Sequence, residues 1–507
     1  MRQDVKFLRD GELIELNNID PNETLLDYLR LREGSCGTKE GCGEGDCGAC
    51  TVAIGSLKDG KLQYQAVNSC IQLLGMMDGK EIITVDDLSK GPLVKGSQAK
   101  RSQQLHPVQD AMLRHHGSQC GFCTPGIVMS LFTLYHAKMK ADRTTINDQL
   151  AGNLCRCTGY RPIIDAALES CTGKAEDRFR KDAQARTTKL NELDDKEDLF
   201  IGDEAKFFAA PASTKTLALI YEKHPDAVIV AGATDVGLWI TKQLRDLPKI
   251  IHIGRVVELQ KITHDTNEII IGAGVTYADA QEVLATIDPD VAEIIRRIGS
   301  TQVRASGTIG GNIANGSPIG DSPPLLIALN AKLSLQKGTD TREIDLEDFF
   351  IDYGKQDREE GEFVSKIRVP KLTENEIFRS YKISKRFDQD ISALLAAFKL
   401  TIDNNRITQA RIAYGGMAGT PKRAEHTEKA LLGIDLNTSE TWEKAAQTLE
   451  QDFTPLSDMR ASADYRMEAA KGLLIKALHE VSNETIGHES DQTRVIGARA
   501  IDVREAV

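Results

Sequence analysis

Cys42, Cys47, Cys50 and Cys70 read C-x4-C-x2-C with one more cysteine after a short segment, and Cys120, Cys123, Cys155 and Cys157 read C-x2-C, then C-x-C. A chain carrying both patterns has to bring soft thiolate ligands together twice, which points to two metal centres. The first spacing is that of plant-type 2Fe–2S ferredoxins. Gly41, Gly43, Gly45 and Gly48 interleave with its cysteines and suit a loop wrapped closely around a bound group. Zinc favours two C-x2-C pairs at matching ends, which this set lacks. The second set is less standard. Its C-x2-C also fits a thioredoxin-like redox pair, but no βαβ pattern surrounds it and a C-x-C lies downstream. Adjacent thiols at C-x-C are poorly placed to bond each other. Spacing alone leaves a second 2Fe–2S cluster and a zinc site open there. Cys36 and Cys171 fall outside both sets and read as structural or incidental thiols.

The rest of the chain bears on how those ten cysteines are used. The start, Met1 to Lys6, is not followed by the apolar core of a secretory signal, and no run is apolar enough to span a bilayer. A cytoplasmic protein without membrane contact is the expectation, and in that compartment disulfides are rare, so many cysteines mean metal or redox work. A net charge of −12 argues against sequence-independent nucleic-acid binding, which needs a basic footprint.

A length of 507 residues predicts about three or four domains. Residues 1–88 read as a small β-rich domain. Asp10-Gly11 sits between alternating runs as a hairpin turn, Asn22 is placed to cap a helix bearing Leu25, Leu26, Tyr28 and Leu29, and strands follow at Thr51–Ile54 and Leu62–Tyr64. Residues 89–170 read as helical, with helices over His106–His116, Ile127–His136 and Ile146–Leu154 and a fourth opened by Pro162. The charged stretch 171–197 lacks hydrophobic periodicity and reads as a linker. A mixed domain covers 198–372. Another covers 376–490, with strands around Leu394–Leu400 and Arg411–Tyr414 and helices over Trp442–Leu449 and Ala463–Leu478. The polar tail, 491–507, reads as disordered.

Two loops of the mixed domain are rich in glycine and small residues: Val228 to Gly237 and Ser306 to Asp321. They suit a backbone nest around a pyrophosphate. Neither is G-x-G-x-x-G or a P-loop, so a Rossmann fold or NTPase is not supported, and either loop alone also fits a turn-rich connection. The histidines, among them His106, His115, His116, His224 and His252, form no metal-spaced cluster.

Taken together, GCGEGDCGAC (41–50), QCGFCTPG (119–126), GNLCRCTGYRP (152–162), GTIGGN (307–312) and YGGMA (414–418) resemble the bacterial xanthine dehydrogenase small subunits of the molybdenum hydroxylase family. The resemblance runs from about residue 5 to about residue 480, and all eight cysteines of the two sets match. It implies an α+β multidomain chain: a β-grasp 2Fe–2S ferredoxin domain, a four-helix 2Fe–2S domain, a two-part, PCMH-like FAD-binding domain and an α+β C-terminal flavoprotein domain. It implies FAD contacts from Val228, Ile229, Val230, Ala231, Gly232, Ala233, Thr234 and Asp235, from Thr308, Ile309, Gly310, Gly311 and Asn312, and from Asp321, Val364 and Lys382. Tyr353 matches an aromatic near a nicotinamide site, Arg386 and Asp390 match charged positions near the flavin ring, and Gln119 matches a residue that touches the pterin of a molybdenum cofactor. Where animal members place an aromatic against the flavin ring, this chain has Ile298. The molybdenum-binding domains lie outside the match. The resemblance therefore places them, with the catalytic residues for substrate hydroxylation, on a partner large subunit in a heterotetramer or larger assembly. Electrons would pass from purine hydroxylation through both clusters to FAD and then NAD. Related oxidation of an aldehyde or another nitrogen heterocycle and, outside the enzymes, a zinc-stabilised scaffold are the alternatives.

Overall fold

The computed structural model describes residues 1–89, 105–138, 140–486 and Arg494. Packing gathers them into two compact units. The first holds Met1–Val257 and Gly299–Gly307; the second holds Glu258–Ile298 and the described residues from Thr308 onward.

In the first unit, β1 (Val5–Arg9) turns into β2 (Glu12–Leu16) through Asp10 and Gly11, both at positive φ, as a two-residue hairpin requires. β3 (Thr51–Lys58), β4 (Lys61–Asn68) and β5 (Glu81–Ile83) complete a sheet of order β2-β1-β5-β3-β4, with β1 and β5 parallel at its centre. Leu25 and Leu29 pack onto it with Val5, Phe7, Val52 and Ile82, the β-grasp arrangement. The helix cap is Thr24 rather than Asn22. Thr24 Oγ1 accepts the Asp27 N–H at 3.1 Å, whereas Asn22 Oδ1 accepts the Leu247 N–H at 2.9 Å.

Four helices follow: Pro107–Arg114, Thr124–Tyr135, Arg143–Leu150 and Arg161–Ser170. The third stops before the expected Leu154. A Cβ on Gly152 would lie 2.4 Å from Ser300 Cβ, and the Asn153 side chain turns inward to the Gly48 carbonyl.

The stretch 171–197 is structured. The helix Ala183–Leu193 lays Leu190 and Leu193 against Leu8, and Arg186 pairs with Glu81 beneath it. Its charges meet fixed partners on the β-grasp sheet, so the absence of an apolar stripe did not mean a loose chain. The unit ends with a sheet of order β6-β7-β9-β8, built from Leu199–Gly202, Phe207–Ala210, Val228–Val230 (β8) and Lys249–His252 (β9).

His106, His136 and Asp177 place their ligand atoms within 4.8 Å of one another, a grouping the sequence spacing did not reveal. It is a hydrogen-bonded lock. His106 Nδ1 accepts the Val108 N–H at 3.2 Å and caps its helix, so Nε2 carries the proton and donates to Asp177 Oδ2 at 2.8 Å. His136 Nε2 reaches the same oxygen at 2.9 Å. A nitrogen that must keep its proton has no lone pair for a metal. Burial depresses the His106 pKa, opposed by Asp177, while His136 and Arg178 add repulsion. Asp177 is held low against burial by both imidazoles. Both shifts favour the fold at neutral pH. The unfolded chain takes up the imidazole proton first, near pH 6.5, and the carboxylate proton lower. The melting temperature is expected to fall as pH drops from about 7 to 5, and His106→Asn, which keeps a capping oxygen but does not titrate there, is expected to flatten that dependence. Thermal melts across this range check it.

In the second unit, an antiparallel sheet made, in order across it, of Ile262–His264, Glu268–Gly272, Phe363–Pro370, Lys332–Lys337 and Asp340–Asp345 carries Ile269, Ile271, Leu333, Leu335, Ile367 and Val369 into one core. A separate antiparallel sheet includes Glu376–Ile383, Leu394–Asp403 and Arg406–Gly415. It packs on the long helix Ala463–Ile486 through Phe398, Tyr414, Leu474 and Leu478. The tail 491–507 lies outside the described residues except Arg494, whose guanidinium bonds both oxygens of buried Asp290. Among the described residues no helix is long and apolar enough to cross a membrane.

Candidate functional site

The four cysteines of each set lie as two interacting pairs. In the first set Cys42 pairs with Cys47, and Cys50 Sγ lies 3.3 Å from Cys70 Sγ. In the second, Cys120 pairs with Cys157 and Cys123 with Cys155. Within each pair one thiol's pKa is lowered and the other's raised. Cys42 is drawn down to about 4, first by the Cys47 thiol and, against burial, by the N–H groups of Cys47, Glu44 and Asp46. Cys47 is pushed up by the same bond. Cys50 is held low by the Cys70 thiol, which rises in turn. Cys120 is lowered by the Phe122 N–H and then by the Cys157 thiol. Burial pushes Cys123 up to about 12, while Thr158 lowers Cys155 against its own burial. Two pairs of thiolates are what two irons with two protein ligands each require.

The first loop also fits a cluster in its backbone. The N–H groups of Glu44 and Cys47 point at Cys42 Sγ from 3.4 and 3.3 Å, donors of the kind that tune cluster potentials. A Cβ on Gly41 would lie 2.7 Å from Cys47 Sγ, so only glycine lets the loop close around the sulfurs. The two sets differ in exposure. Cys50 and Cys70 are buried, whereas Cys120 and Cys157 are exposed beside exposed Gln119. The second set thus opens to the surface next to the residue expected to meet a partner's pterin.

The loops are joined. The Leu154 N–H, next to Cys155, donates to the Cys47 carbonyl at 3.0 Å. Phe122, between Cys120 and Cys123, lies against Gly41. On its far side the first set leads to the loop Val228–Asp235. Cys70 is followed by Ile71, which packs so tightly on Gly237 that a Cβ there would lie 2.9 Å from its Cβ and carbonyl oxygen. Gln72 Nε2 then donates to the Gly232 carbonyl at 3.0 Å. In that loop Ala233 sits at φ 57°, a left-handed conformation that alanine rarely adopts, and the Gly237 N–H closes on its carbonyl at 2.8 Å. Thr234 lies against Gly307.

The second loop belongs to the second unit. Thr308 caps the helix Ile309–Asn315 by accepting the Gly311 N–H, and Gly310 lies against Ala273, where a Cβ would sit 2.5 Å from backbone. Asn312 is oriented by a relay: Tyr277 Oη lies 2.9 Å from Ser322 Oγ, which donates to Asn312 Oδ1 at 2.7 Å. That fixes the Asn312 amide oxygen as the acceptor of the relay. In the same unit Lys382 Nζ donates to Asp321 Oδ2 at 2.6 Å and Ser392 Oγ to Asp321 Oδ1 at 2.6 Å, a buried, neutralised pair. Val364 is buried, Tyr353 is exposed, and the Arg386 N–H donates to Asp390 at 2.8 Å and lowers its pKa against burial. Ile298 packs on the core of this unit. Gln72, Tyr277, Ser322 and Ser392 were not among the residues singled out from sequence. Each is a single polar residue in an apolar or turn segment, and its role exists only through partners distant in the chain.

Four family models match in order: a 2Fe-2S iron-sulfur cluster binding domain over 8–73, a [2Fe-2S] binding domain over 94–168, an FAD binding domain in molybdopterin dehydrogenase over 203–372, and a CO dehydrogenase flavoprotein C-terminal domain over 379–481. Xanthine dehydrogenase of Emericella nidulans is 31% identical over 99% of the chain and 40% of its own length. Xanthine dehydrogenase/oxidase of Gallus gallus is 29% identical over 85% of the chain and 36% of its own length. The chain thus spans about two fifths of the length of these relatives. Among solved structures, a chain of reconstituted CO dehydrogenase from Oligotropha carboxidovorans matches 56% of this chain and 99% of its own, at 27% identity and a TM-score of 0.52.

Proposed function

Because the chain belongs to the molybdenum hydroxylase family, as its two 2Fe–2S domains and its flavin domains establish, we propose that it is the electron-transferring part of an NAD-linked xanthine dehydrogenase. The observation that carries this reading is the continuous packing from exposed Cys120 and Cys157, through Leu154 and Cys47, to Cys70, Gln72 and Gly232. Cys42, Cys47, Cys50 and Cys70 would hold one cluster and Cys120, Cys123, Cys155 and Cys157 the other. When bound, the clusters would supply one-electron transfer and the flavin would couple it to hydride chemistry, with NAD as the proposed acceptor.

The chain's own residues hold and orient these groups. Glycines 41, 43, 45 and 48 admit the first cluster. Val228–Asp235 and Thr308–Asn312, with Asp321, Val364 and Lys382, are assigned to FAD. Arg386 and Asp390 are assigned near its ring and exposed Tyr353 beside NAD. Gln119 would meet the pterin of a molybdenum cofactor on a large subunit, in a heterotetramer or larger assembly, where xanthine or hypoxanthine is hydroxylated. A chain this rich in proposed cluster ligands is assigned to the cytoplasm, where disulfides are rare and cysteines serve metal or redox work.

A purine substrate is favoured over an aldehyde or another heterocycle because the xanthine dehydrogenase relatives align with cluster and flavin segments in one chain. The CO dehydrogenase chain aligns with only 56% of this one. The purified chain is expected to carry about four irons and one FAD, and to oxidise NADH with an artificial dye. Co-purified with its large subunit it should reduce NAD with xanthine. A colourless, zinc-loaded chain would sink the redox reading. Bound flavin without NADH oxidation would remove NAD alone.

A further inference from the structure

The segment Gly299–Gly307 packs within the first unit although the residues on either side of it belong to the second, and its next residue begins the loop Thr308–Asn312. Ser300 caps its single turn, Thr301–Arg304, by accepting the Val303 N–H, and Thr301 Oγ1 donates to the Asp148 carbonyl at 3.0 Å. At its centre Gln302 is 1% exposed. Its Nε2 lies 2.9 Å from Asn153 Oδ1, 3.1 Å from Ser130 Oγ and 3.3 Å from Thr51 Oγ1.

The hydrogens of those partners are already committed. Thr51 Oγ1 donates to the Gly48 carbonyl at 2.7 Å, Ser130 Oγ to Asn153 Oδ1 at 2.6 Å, and Asn153 Nδ2 to the Gly48 carbonyl at 3.1 Å. Only lone pairs are left facing Gln302, so the site accepts an amide NH2 and rejects a carboxylate or a flipped amide. Each partner is tied to a cluster cysteine. Thr51 follows Cys50, Ser130 lies in the helix that begins after Cys123, Asn153 stands two residues before Cys155, and Gly48 follows Cys47. No Cβ fits at the meeting of the loops: on Gly48 it would lie 2.1 Å from the Gly152 carbonyl oxygen, and on Gly126 2.1 Å from that of Gly48.

We propose that Gln302 is the positioning residue that fixes the spacing of the two cysteine loops, so that the segment leading into Thr308–Asn312 sets the distance electrons cross between the clusters. The inference rests on the redox reading above. It assigns Gln302 no contact with a cluster; it acts through Asn153, Ser130 and Thr51. Buried and shared by three acceptors, its amide is a hub whose loss leaves lone pairs facing an apolar group.

The test uses the full chain carrying Gln302→Leu or Gln302→Met, which keep volume and remove the donors, beside Thr301→Ala, which loosens the same turn without touching the hub. Iron content, melting temperature, the magnetic coupling between the two reduced clusters and the rate at which an electron equilibrates between them are measured. Gln302 variants that keep their iron are expected to lose or broaden the coupling and to slow equilibration severalfold, because the clusters no longer sit at one fixed separation. Thr301→Ala should lower the melting temperature and leave both cluster measurements unchanged. Native coupling in an iron-replete Gln302 variant overturns the proposal, whatever its melting temperature. So does loss of iron from both Gln302 variants, or an equal loss of coupling in Thr301→Ala. A wild-type chain without two cluster signals overturns the redox reading and this inference together.

Discussion

Gly48→Ala is expected to deplete both cluster sites of iron. Gly48 lies at φ +70, where an L-residue costs about 1–2 kcal/mol. Its added Cβ would also lie 2.1 Å from the Gly152 carbonyl oxygen and 2.6 Å from Asn153 Nδ2. Backbone cannot yield as a side-chain tip does, so forced separation of the loops adds about 1–3 kcal/mol of overpacking. The sum, about 2–5 kcal/mol, is a large share of the stability of an ordinary domain. Because the separated loops carry Cys47 and Cys50 on one side and Cys155 on the other, iron content should fall to less than half. Gly60→Ala separates the two causes. Gly60 has the same φ of +70 with nothing within 4 Å of its Cβ, so it should lose about 1–2 kcal/mol and keep all its iron. Iron analysis and melts of the two variants decide the matter. Full iron in Gly48→Ala would mean that the loops do not meet as closely as described.

That contrast marks the limit of what the sequence discloses. The cysteine spacings, the hairpin at Asp10-Gly11 and the strands at Thr51 and Leu394 are local patterns, legible because period and turn chemistry act over a few residues. The helix Thr124–Tyr135 was legible for the same reason. The stretch 171–197 reads as a linker, yet it carries a packed helix, because its Arg186 meets Glu81 and Asp10, 105 and 176 residues away in the chain. Asn22 was a reasonable cap by type, yet Leu247 takes its side chain and Thr24 caps instead. No local pattern marks Gln302 itself. Its meaning lies in Thr51, Ser130 and Asn153, each acceptor already committed by its own hydrogen. The same holds for Asn312, whose orientation depends on Tyr277 and Ser322. The residues assigned to cofactors were thus readable as motifs, while the residues that orient them were not.

Gly232→Ala is expected to remove the flavin while leaving the clusters in place. A Cβ on Gly232 would lie 1.8 Å from the Ser306 carbonyl oxygen and 2.8 Å from the Gly307 nitrogen, both backbone. The loop cannot retreat, because Gln72 holds the Gly232 carbonyl from the other side at 3.0 Å and Ala233 is already at φ 57°. Overpacking of about 1–3 kcal/mol falls on the loop assigned to FAD. A tenfold loss of bound flavin needs only about 1.4 kcal/mol, so flavin per chain should drop by that factor or more. Iron content should stay near wild type, because the displaced loop carries none of the eight cysteines and meets the first set through Ile71 and Gln72. NADH oxidation by dye should fall in proportion to flavin. Ala233→Gly is the counterpart: it relieves the left-handed conformation at the next residue without adding an atom, and should bind flavin at least as well as wild type. Flavin and iron are counted from the same purified samples. Normal flavin in Gly232→Ala would detach FAD from this loop, and loss of iron alongside flavin would mean that the loop supports the first cluster as well.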